Sequence, residues 1–377
     1  MTWLLFSFIV VYGWVILRRR QAWQQVPLEP LPPVTGANIF VSVVIAVRNE
    51  EANIGHLLQD LARQAYPAQL FEVLVVDDGS TDQTAARVQA FQAEAPYALR
   101  YLDLRLLGGG IGKKQALAAG VRQARGELLA FTDGDCRVQP AWLQHLAFSY
   151  RQHQARFISG PVAFQDPAGL LAKMQVVEFA SLIGVGAASL ALGKPNMCNG
   201  ANLAYPKAVF EEVKGFAGNE HIASGDDEFL LHKVFEKYPG QVVFLKAPGA
   251  TVFTRPQASL ASFVAQRVRW ASKWPAYRQT APKLLALLVF GVNLLLLAGL
   301  GAWAWGAIPA WIFGLAFGLK FVVDLLFLWP VMVFFNQQRY WPYIFLLQLV
   351  YVPYVVGVGL ASLRRQYRWK GRVIIYQ

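Results

Sequence analysis

The sequence predicts an α/β domain, a mostly parallel sheet with helices on its faces, joined to transmembrane helices. Three observations predict it. From Phe40 onward, β-branched runs alternate with amphipathic helical stretches. Acidic clusters stand where those runs end, at Asp77 and Asp78 and again at Asp133 and Asp135. Long apolar segments fill both ends of the chain. Alternating strands and helices build parallel sheets, and such sheets bind ligands beyond the carboxyl ends of their strands.

Composition narrows the class. Charged residues make up only 15% of the 377 residues and hydrophobic residues 55%. A soluble domain averages about 25% charged, so the deficit points to lipid-facing segments. The net charge is +12, from 35 Lys+Arg against 23 Asp+Glu. Much of the excess flanks the apolar segments: Arg18, Arg19 and Arg20, then Arg364, Arg365, Arg368, Lys370 and Arg372. That placement favours a membrane surface over nucleic acid. Cys136 and Cys198 are the only cysteines. They suggest neither a disulfide framework nor a zinc site, and they fit a reducing compartment.

The first element is the apolar run at residues 3–17. It is short for a span and resembles a signal-peptide core in length. No basic side chain precedes it, no small-x-small pattern follows it, and three arginines come next. The expectation is an uncleaved anchor over residues 1–20, with the N-terminus outside and Arg18 onward in the cytosol. A Pro-rich linker, 21–39, leads into a catalytic domain over residues 40–282.

Within that domain, residues 41–47 (VSVVIAV) read as a buried strand, Asn49-Glu50-Glu51 as a cap and 54–65 as a helix. Residues 71–76 read as the second strand, ending at Asp77-Asp78-Gly79-Ser80, with a helix over 81–91. Residues 128–132 form a later strand, ending at Asp133-Gly134-Asp135. The stretch Gly108-Gly109-Gly110-Ile111-Gly112-Lys113-Lys114 is not a P-loop. It reads either as a flexible loop with solvated lysines or as a place where backbone and lysine approach phosphate.

Beyond Pro282, residues 284–303 and 308–328 are long enough to span, and 343–363 form a third candidate interrupted by Gln348 and Pro353. Residues 283–363 are therefore assigned to membrane helices and 364–377 to a basic cytosolic tail. Three full crossings would leave that tail outside, against the positive-inside rule. The last segment is accordingly expected to be re-entrant or interfacial. Lys320 and Asp324 lie inside the second stretch, four apart on one helical face. They read as a packing pair between helices or as a functional intramembrane pair.

The acidic clusters permit definite chemistry. Asp133 and Asp135 flank a glycine, so both carboxylates can serve one hard cation such as Mg²⁺ or Mn²⁺. Asp77 and Asp78 offer acceptors for ribose hydroxyls or base N–H groups. Asp226-Asp227-Glu228 precedes an apolar helical stretch. These acids read either as capping groups or as the site of a general base. Gln266-Arg267-Val268-Arg269-Trp270 reads as an interfacial anchor or as a diphosphate and sugar contact.

Taken together, VSVVIAVRNEEANI, VVDDGSTDQT, GKKQAL, FTDGDC, CNGANLAYPK, GDDEFLL and QRVRW resemble, in this order over residues 40–274, the inverting family 2 glycosyltransferases. The resemblance is to the membrane-bound branch that includes hyaluronan, chitin and cellulose synthases. It implies a GT-A fold and transfer of a sugar from a nucleotide-diphosphate sugar to a glycan or lipid-linked acceptor. It implies that Asp77 and Asp78 hold the nucleoside, that Asp133 and Asp135 bind Mg²⁺ or Mn²⁺ and diphosphate, and that Asp227 is the base. Gln266, Arg269 and Trp270 are implied to hold donor diphosphate and acceptor. Lys114, Asn202 and Asp226 complete the substrate-binding set. The C-terminal WKGR looks like the cytosolic tail of related bacterial enzymes. The expected location is the cell inner membrane, with the catalytic domain cytosolic. The chain has fewer membrane segments than long-chain synthases that export their own polymer. Single addition to a polyprenyl phosphate or glycolipid is therefore a second expectation, and a catalytically silent membrane scaffold is a third.

Overall fold

The structure is a computed structural model that describes residues 2–33, 39–108, 110–219, 222, 225–273, 276–277, 279–363, 366–369 and 372–375. Gly109 of the glycine-rich stretch, Trp274 and the tail residues Arg364, Arg365 and Lys370 lie outside the described residues, as do the side chains of Arg368, Trp369 and Arg372. The chain opens with α1 (Thr2–Gln25), β1 (Val41–Val47), α2 (Ile54–Ala62), β2 (Phe71–Asp77), α3 (Thr84–Gln92) and β3 (Ala98–Asp103). Next come α4 (Lys113–Gln123), β4 (Leu128–Phe131), α5 (Trp142–His153), β5 (Phe157–Ser159), β6 (Val162–Phe164) and α6 (Gly169–Ala191). Then follow β7 (Leu203–Pro206), α7 (Lys207–Glu212), α8 (Asp226–Lys237), β8 (Val242–Phe244) and β9 (Val252–Thr254). The remainder is α9 (Leu260–Ala271), α10 (Thr280–Ala304), α11 (Ala310–Phe334), α12 (Pro342–Ser362) and a hairpin of β10 (Gln366–Trp369) and β11 (Arg372–Ile375).

These elements form two compact units. One comprises Pro27–Gln165 and Met197–Arg255, the other Met1–Val26, Asp166–Asn196 and Pro256–Gln377.

The first unit is built on a seven-stranded sheet of order β3-β2-β1-β4-β7-β5-β8. Every residue of β2, and all but Ala46 of β1, is buried. That is why both are dominated by apolar residues rather than alternating, with the buried Ser42 and Glu72 satisfying each other by a hydrogen bond at 2.7 Å. β1 pairs in parallel with β2 on one side and β4 on the other, and only β7 runs antiparallel to its neighbours. The registers align the chemistry. Val47, at the end of β1, faces Asp77, and Asp77 faces Asp103 of β3. Phe131, at the end of β4, faces Val44 on one side and Leu203 on the other. The chain therefore leaves β4 toward Asp133 at the edge where it enters β7 from Asn202. The edge strand β3 was not anticipated: of its six residues only Leu99 is buried, so it carries little apolar signal.

The second unit is helical. Among the described residues five of its helices, α1, α6, α10, α11 and α12, are long and apolar enough to cross a membrane. α12 is continuous from Pro342 to Ser362, although the sequence reading treats that segment as re-entrant or interfacial. α6 was not anticipated, and it differs from the rest. Its most apolar window is 72% buried, against 22–33% for the other four. The segments before and after α6 also enter one shared sheet. The other four expose large apolar side chains such as Trp3, Trp14, Leu284 and Trp311 and turn their polar groups inward. Lys320 is fully buried, 2.7 Å from Asp324 Oδ2 and 2.8 Å from Gln348 Oε1, while the Tyr12 hydroxyl donates to Asp324 Oδ1 at 2.5 Å. The i,i+4 pair expected from the sequence thus ties α11 to α1 and α12.

Candidate active site

The loop after β2 is held by hydrogen bonds from its own and neighbouring side chains. Asp77 is 1% exposed. Its Oδ1 accepts from the Ser80 N–H and hydroxyl at 2.8 and 2.7 Å, and its Oδ2 accepts from the Tyr101 hydroxyl at 2.7 Å. Burial, helped by Asp77, pushes the Tyr101 hydroxyl above its ordinary value, so it remains a donor. Arg48 donates to the carbonyls of Asp78 and Gly79 at 2.6 and 3.2 Å. Asp78 Oδ1 accepts the Gly112 N–H at 2.9 Å, which pins the end of the glycine-rich stretch to this loop. Asp77 acts from inside the loop, and Asp78 joins two loops at the sheet's carboxyl edge.

Asp133 follows β4 by two residues. Gly134 is required by closeness and not by a turn, because a Cβ there would lie 2.9 Å from Val47 Cγ1 and 3.1 Å from Glu50 Cγ. Asp135 is exposed, and the buried Cys136 thiol lies 3.8 Å from its carboxylate. The cation facing Asp133 is Lys113, with Nζ 2.6 Å from Oδ1 and 3.9 Å from Asp226 Oδ2. Burial opposes the Lys113 charge. The Asp133, Asp226 and Asp227 carboxylates outweigh that and hold the ammonium above its ordinary value. Burial in turn pushes the Asp226 carboxyl up, against the pull of Lys113.

Lys114, the lysine singled out from the sequence, points elsewhere. Its Nζ donates to the carbonyls of Asn219 and Ile222 at 2.7 and 2.6 Å and sits 5.4 Å from the Phe229 ring centroid. Two adjacent lysines project about 100° apart on a helix, so only one of them reaches Asp133.

Asp227 stands in the first turn of α8. Gly225, at φ +83°, is the residue preceding the helix, and no side chain caps it. The Asp227 carboxylate is fixed from two directions. Oδ2 accepts the Gly200 N–H at 2.8 Å and Oδ1 accepts the Glu228 N–H at 2.8 Å. Gly200 belongs to the loop before β7, and its backbone N–H has no side-chain signature in the sequence. Each oxygen keeps a free lone pair, so the group can still take a proton. Asn202, in the same loop, is fully buried. It accepts from Trp142 Nε1 at 2.9 Å and donates to the Pro161 and Ala250 carbonyls, both at 2.8 Å. Its side chain braces the loop that carries Gly200.

Gln266, Arg269 and Trp270 lie on α9, in the helical unit, all half-buried. α9 starts with a capping box at Ser259 and Ser262, which explains why it begins where it does.

Among the described residues no three Asp, Glu, His or Cys side chains converge as a ready-made metal cage. The donor set still fits a hard cation. Asp133 already holds a cationic group at 2.6 Å, and Mg²⁺ commonly takes one or two carboxylates, with water and phosphate oxygens for the rest.

Comparison with known proteins agrees with this geometry. The family model described as glycosyl transferase family 2 matches residues 42–213, and that of glycosyl transferase family group 2 matches residues 128–355. Glycosyltransferase AglE of Haloferax volcanii is 32% identical over 50% of this chain and 59% of its own length. The beta-monoglucosyldiacylglycerol synthase of Nostoc sp. is 26% identical over 63% of this chain and 49% of its own. The chain thus spans about half the length of these relatives. The solved mannosyltransferase PcManGT of Pyrobaculum calidifontis, in complex with GDP-Man and Mn²⁺, shares the fold. Its TM-score is 0.58 at 22% identity, covering 92% of this chain and 95% of that one. The sheet and its neighbours are those of a GT-A domain. A family match over more than half of the chain settles the assignment: this protein belongs to glycosyl transferase family group 2.

Proposed function

We propose that the chain is a membrane-bound inverting glycosyltransferase that moves a sugar from a nucleotide-diphosphate donor to a glycan or lipid-linked acceptor. The observation that carries this reading is the Asp227 carboxylate, fixed by two backbone N–H groups beside the acids that surround Lys113. Asp227 takes the proton of the acceptor hydroxyl, and the oxygen attacks the anomeric carbon. The bond from that carbon to the diphosphate breaks, and its electron pair leaves with the nucleotide. Attack from the opposite face inverts the centre. Mg²⁺ or Mn²⁺, held by Asp133 and Asp135, would neutralise charge on the departing diphosphate. Lys113 places a second positive charge on the same carboxylate. Asp78 is assigned to the nucleoside, and Asp77 to bracing its loop. Asp226 is assigned to the substrate side of Lys113. Lys114 and Asn202 act as supports, and Gln266, Arg269 and Trp270 are assigned to donor diphosphate and acceptor.

The likeness to a diacylglycerol glycosyltransferase favours a lipid acceptor and single addition. With Arg18 to Arg20 at the end of an apolar run, the catalytic unit is assigned to the cytosolic side of a cell membrane. A reporter fused near Gln92 that reads as extracytoplasmic would overturn that assignment. The activity is tested by incubating purified chain with a panel of nucleotide sugars, Mg²⁺ or Mn²⁺ and lipid acceptors, detecting released nucleotide diphosphate and product length. Release with at least one donor is expected. No release with any donor sinks the reading in favour of a silent scaffold.

A further inference from the structure

The chemistry above leaves a buried charge pair of the helical unit unused. Arg267 lies between the motif residues Gln266 and Arg269, and it is only 3% exposed. Its guanidinium forks onto the Glu178 carboxylate of α6, Nε to Oε1 at 2.8 Å and Nη2 to Oε2 at 2.5 Å. A lysine cannot reproduce that planar two-bond geometry. The Tyr354 hydroxyl of α12 donates to the same Oε1 at 3.2 Å, so the carboxylate is held from two helices. The guanidinium then reaches into the motif. It lies 4.3 Å from the centroid of the Trp270 ring, and its Nη1 donates to Gln266 Oε1. On the other side Phe179, next to Glu178, packs on the same Trp270 ring at 6.3 Å between centroids.

Stability alone does not call for this arrangement, because well-packed apolar side chains commonly replace a buried ion pair at no cost. What an apolar pair cannot do is fix an amide by hydrogen bond and a ring by cation–π contact at once. We propose that Arg267, locked by Glu178, is a positioning residue that sets the orientation of the Gln266 amide and the Trp270 ring toward donor and acceptor. The proposal rests on the transfer reading above, which assigns those two side chains to substrate.

The test uses full-length chain in detergent or lipid discs, with the donor found in the panel. Arg267→Lys keeps the charge and removes the fork. The double variant Arg267→Met with Glu178→Leu replaces both partners by apolar groups, which keeps the fold. Both are expected to lose about a hundredfold in kcat/KM, the scale of a 1 Å misplacement, while the double variant keeps its thermal midpoint. A second readout needs no turnover. In protein labelled with fluorotryptophan, the ¹⁹F line that disappears in Trp270→Phe belongs to Trp270, and it is expected to shift in both variants. An unmoved Trp270 line, or wild-type kcat and KM in the double variant, overturns the proposal. If the double variant fails to fold, Arg267→Lys decides by the same two readouts. If wild-type protein turns over no donor, the transfer reading falls, and the Trp270 line alone still judges the positioning role.

Discussion

The two units handle charge in opposite ways. In the helical unit two buried charge pairs are one-to-one. Lys320 meets Asp324, and Arg267 meets Glu178, with every partner at most 11% exposed at its side chain. In the catalytic unit three carboxylates, Asp133, Asp226 and Asp227, act on one ammonium, Lys113. A one-to-one pair is electrically finished, since each charge neutralises the other, and what remains for it is structural: packing, or holding neighbouring side chains in place as Arg267 does for Gln266 and Trp270. An oversupplied cluster is unfinished: it holds negative charge that a substrate's cation or proton can satisfy. Pairing stoichiometry therefore separates structural charge from chemical charge better than burial does.

The largest effect should come from removing the cation that the oversupplied cluster is proposed to bind. Excess chelator should bring transfer to background, and Mn²⁺ or Mg²⁺ should restore it. Asp133→Asn should weaken metal-dependent donor binding as well as turnover. Full transfer in excess chelator would break the comparison, because Lys113 would then be the cluster's only cation.

The next effect belongs to Asp227. Asp227→Asn keeps shape and can still accept the Gly200 N–H, but it loses the proton acceptor. Transfer should fall by about 10²–10⁴-fold with donor affinity nearly unchanged. Asp227 accepts the Glu228 N–H in the first turn of α8, but Asn serves in that place as well as Asp, so a capping role offers no alternative account of such a loss. Retention of more than about a tenth of wild-type transfer, below the smallest loss expected of a base, moves the role to Asp226.

The paired side of the comparison is tested at Lys320. Lys320→Met strands Asp324 beside Tyr12 and Gln348, and should cost about 3–5 kcal/mol in thermal or denaturant unfolding in detergent. Adding Asp324→Leu should recover most of that, with transfer per folded molecule at wild-type level. A double variant that folds well yet does not transfer would show that this pair does more than pack.

The same contrast explains what could be read from sequence. β1, β2 and β4 were legible because a strand buried on both faces is mostly apolar. The acids after them were legible because they follow directly. Four features were not. β3 is an edge strand with one buried residue. α6 is as apolar on average as α1, but Lys173 and Glu178 interrupt its run inside a stretch otherwise read as the catalytic domain. Lys113 was passed over for Lys114 because helix phase against Asp133 is a property of the fold, set by where α4 begins. The fixed state of Asp227 was invisible for a similar reason, since its anchor is the backbone N–H of Gly200.

The smallest effect concerns a titratable group with no charged partner at all. His145 on α5 is 2% exposed, and its Nδ1 has no hydrogen-bond partner. Burial pulls its ionisation down to about 4 from an ordinary 6.5. The folded state therefore keeps the ring neutral where the unfolded chain already binds a proton. Its contribution to stability is fully present above pH 6.5 and is lost progressively as the pH falls toward 4. Over that range the loss amounts to about 3 kcal/mol. By the rule of pairing, a lone buried group of this kind belongs to packing. His145→Phe should thus flatten the stability profile between pH 6.5 and 4 and leave the pH dependence of transfer at neutral and alkaline pH unmoved. The ring sits close against Gly249, where even an added Cβ would come within 2.8 Å of Nε2. His145→Gln, smaller and also uncharged, is the control for crowding. A transfer profile that shifts near neutral pH in both variants would make His145 part of the chemistry and break the rule on its own ground.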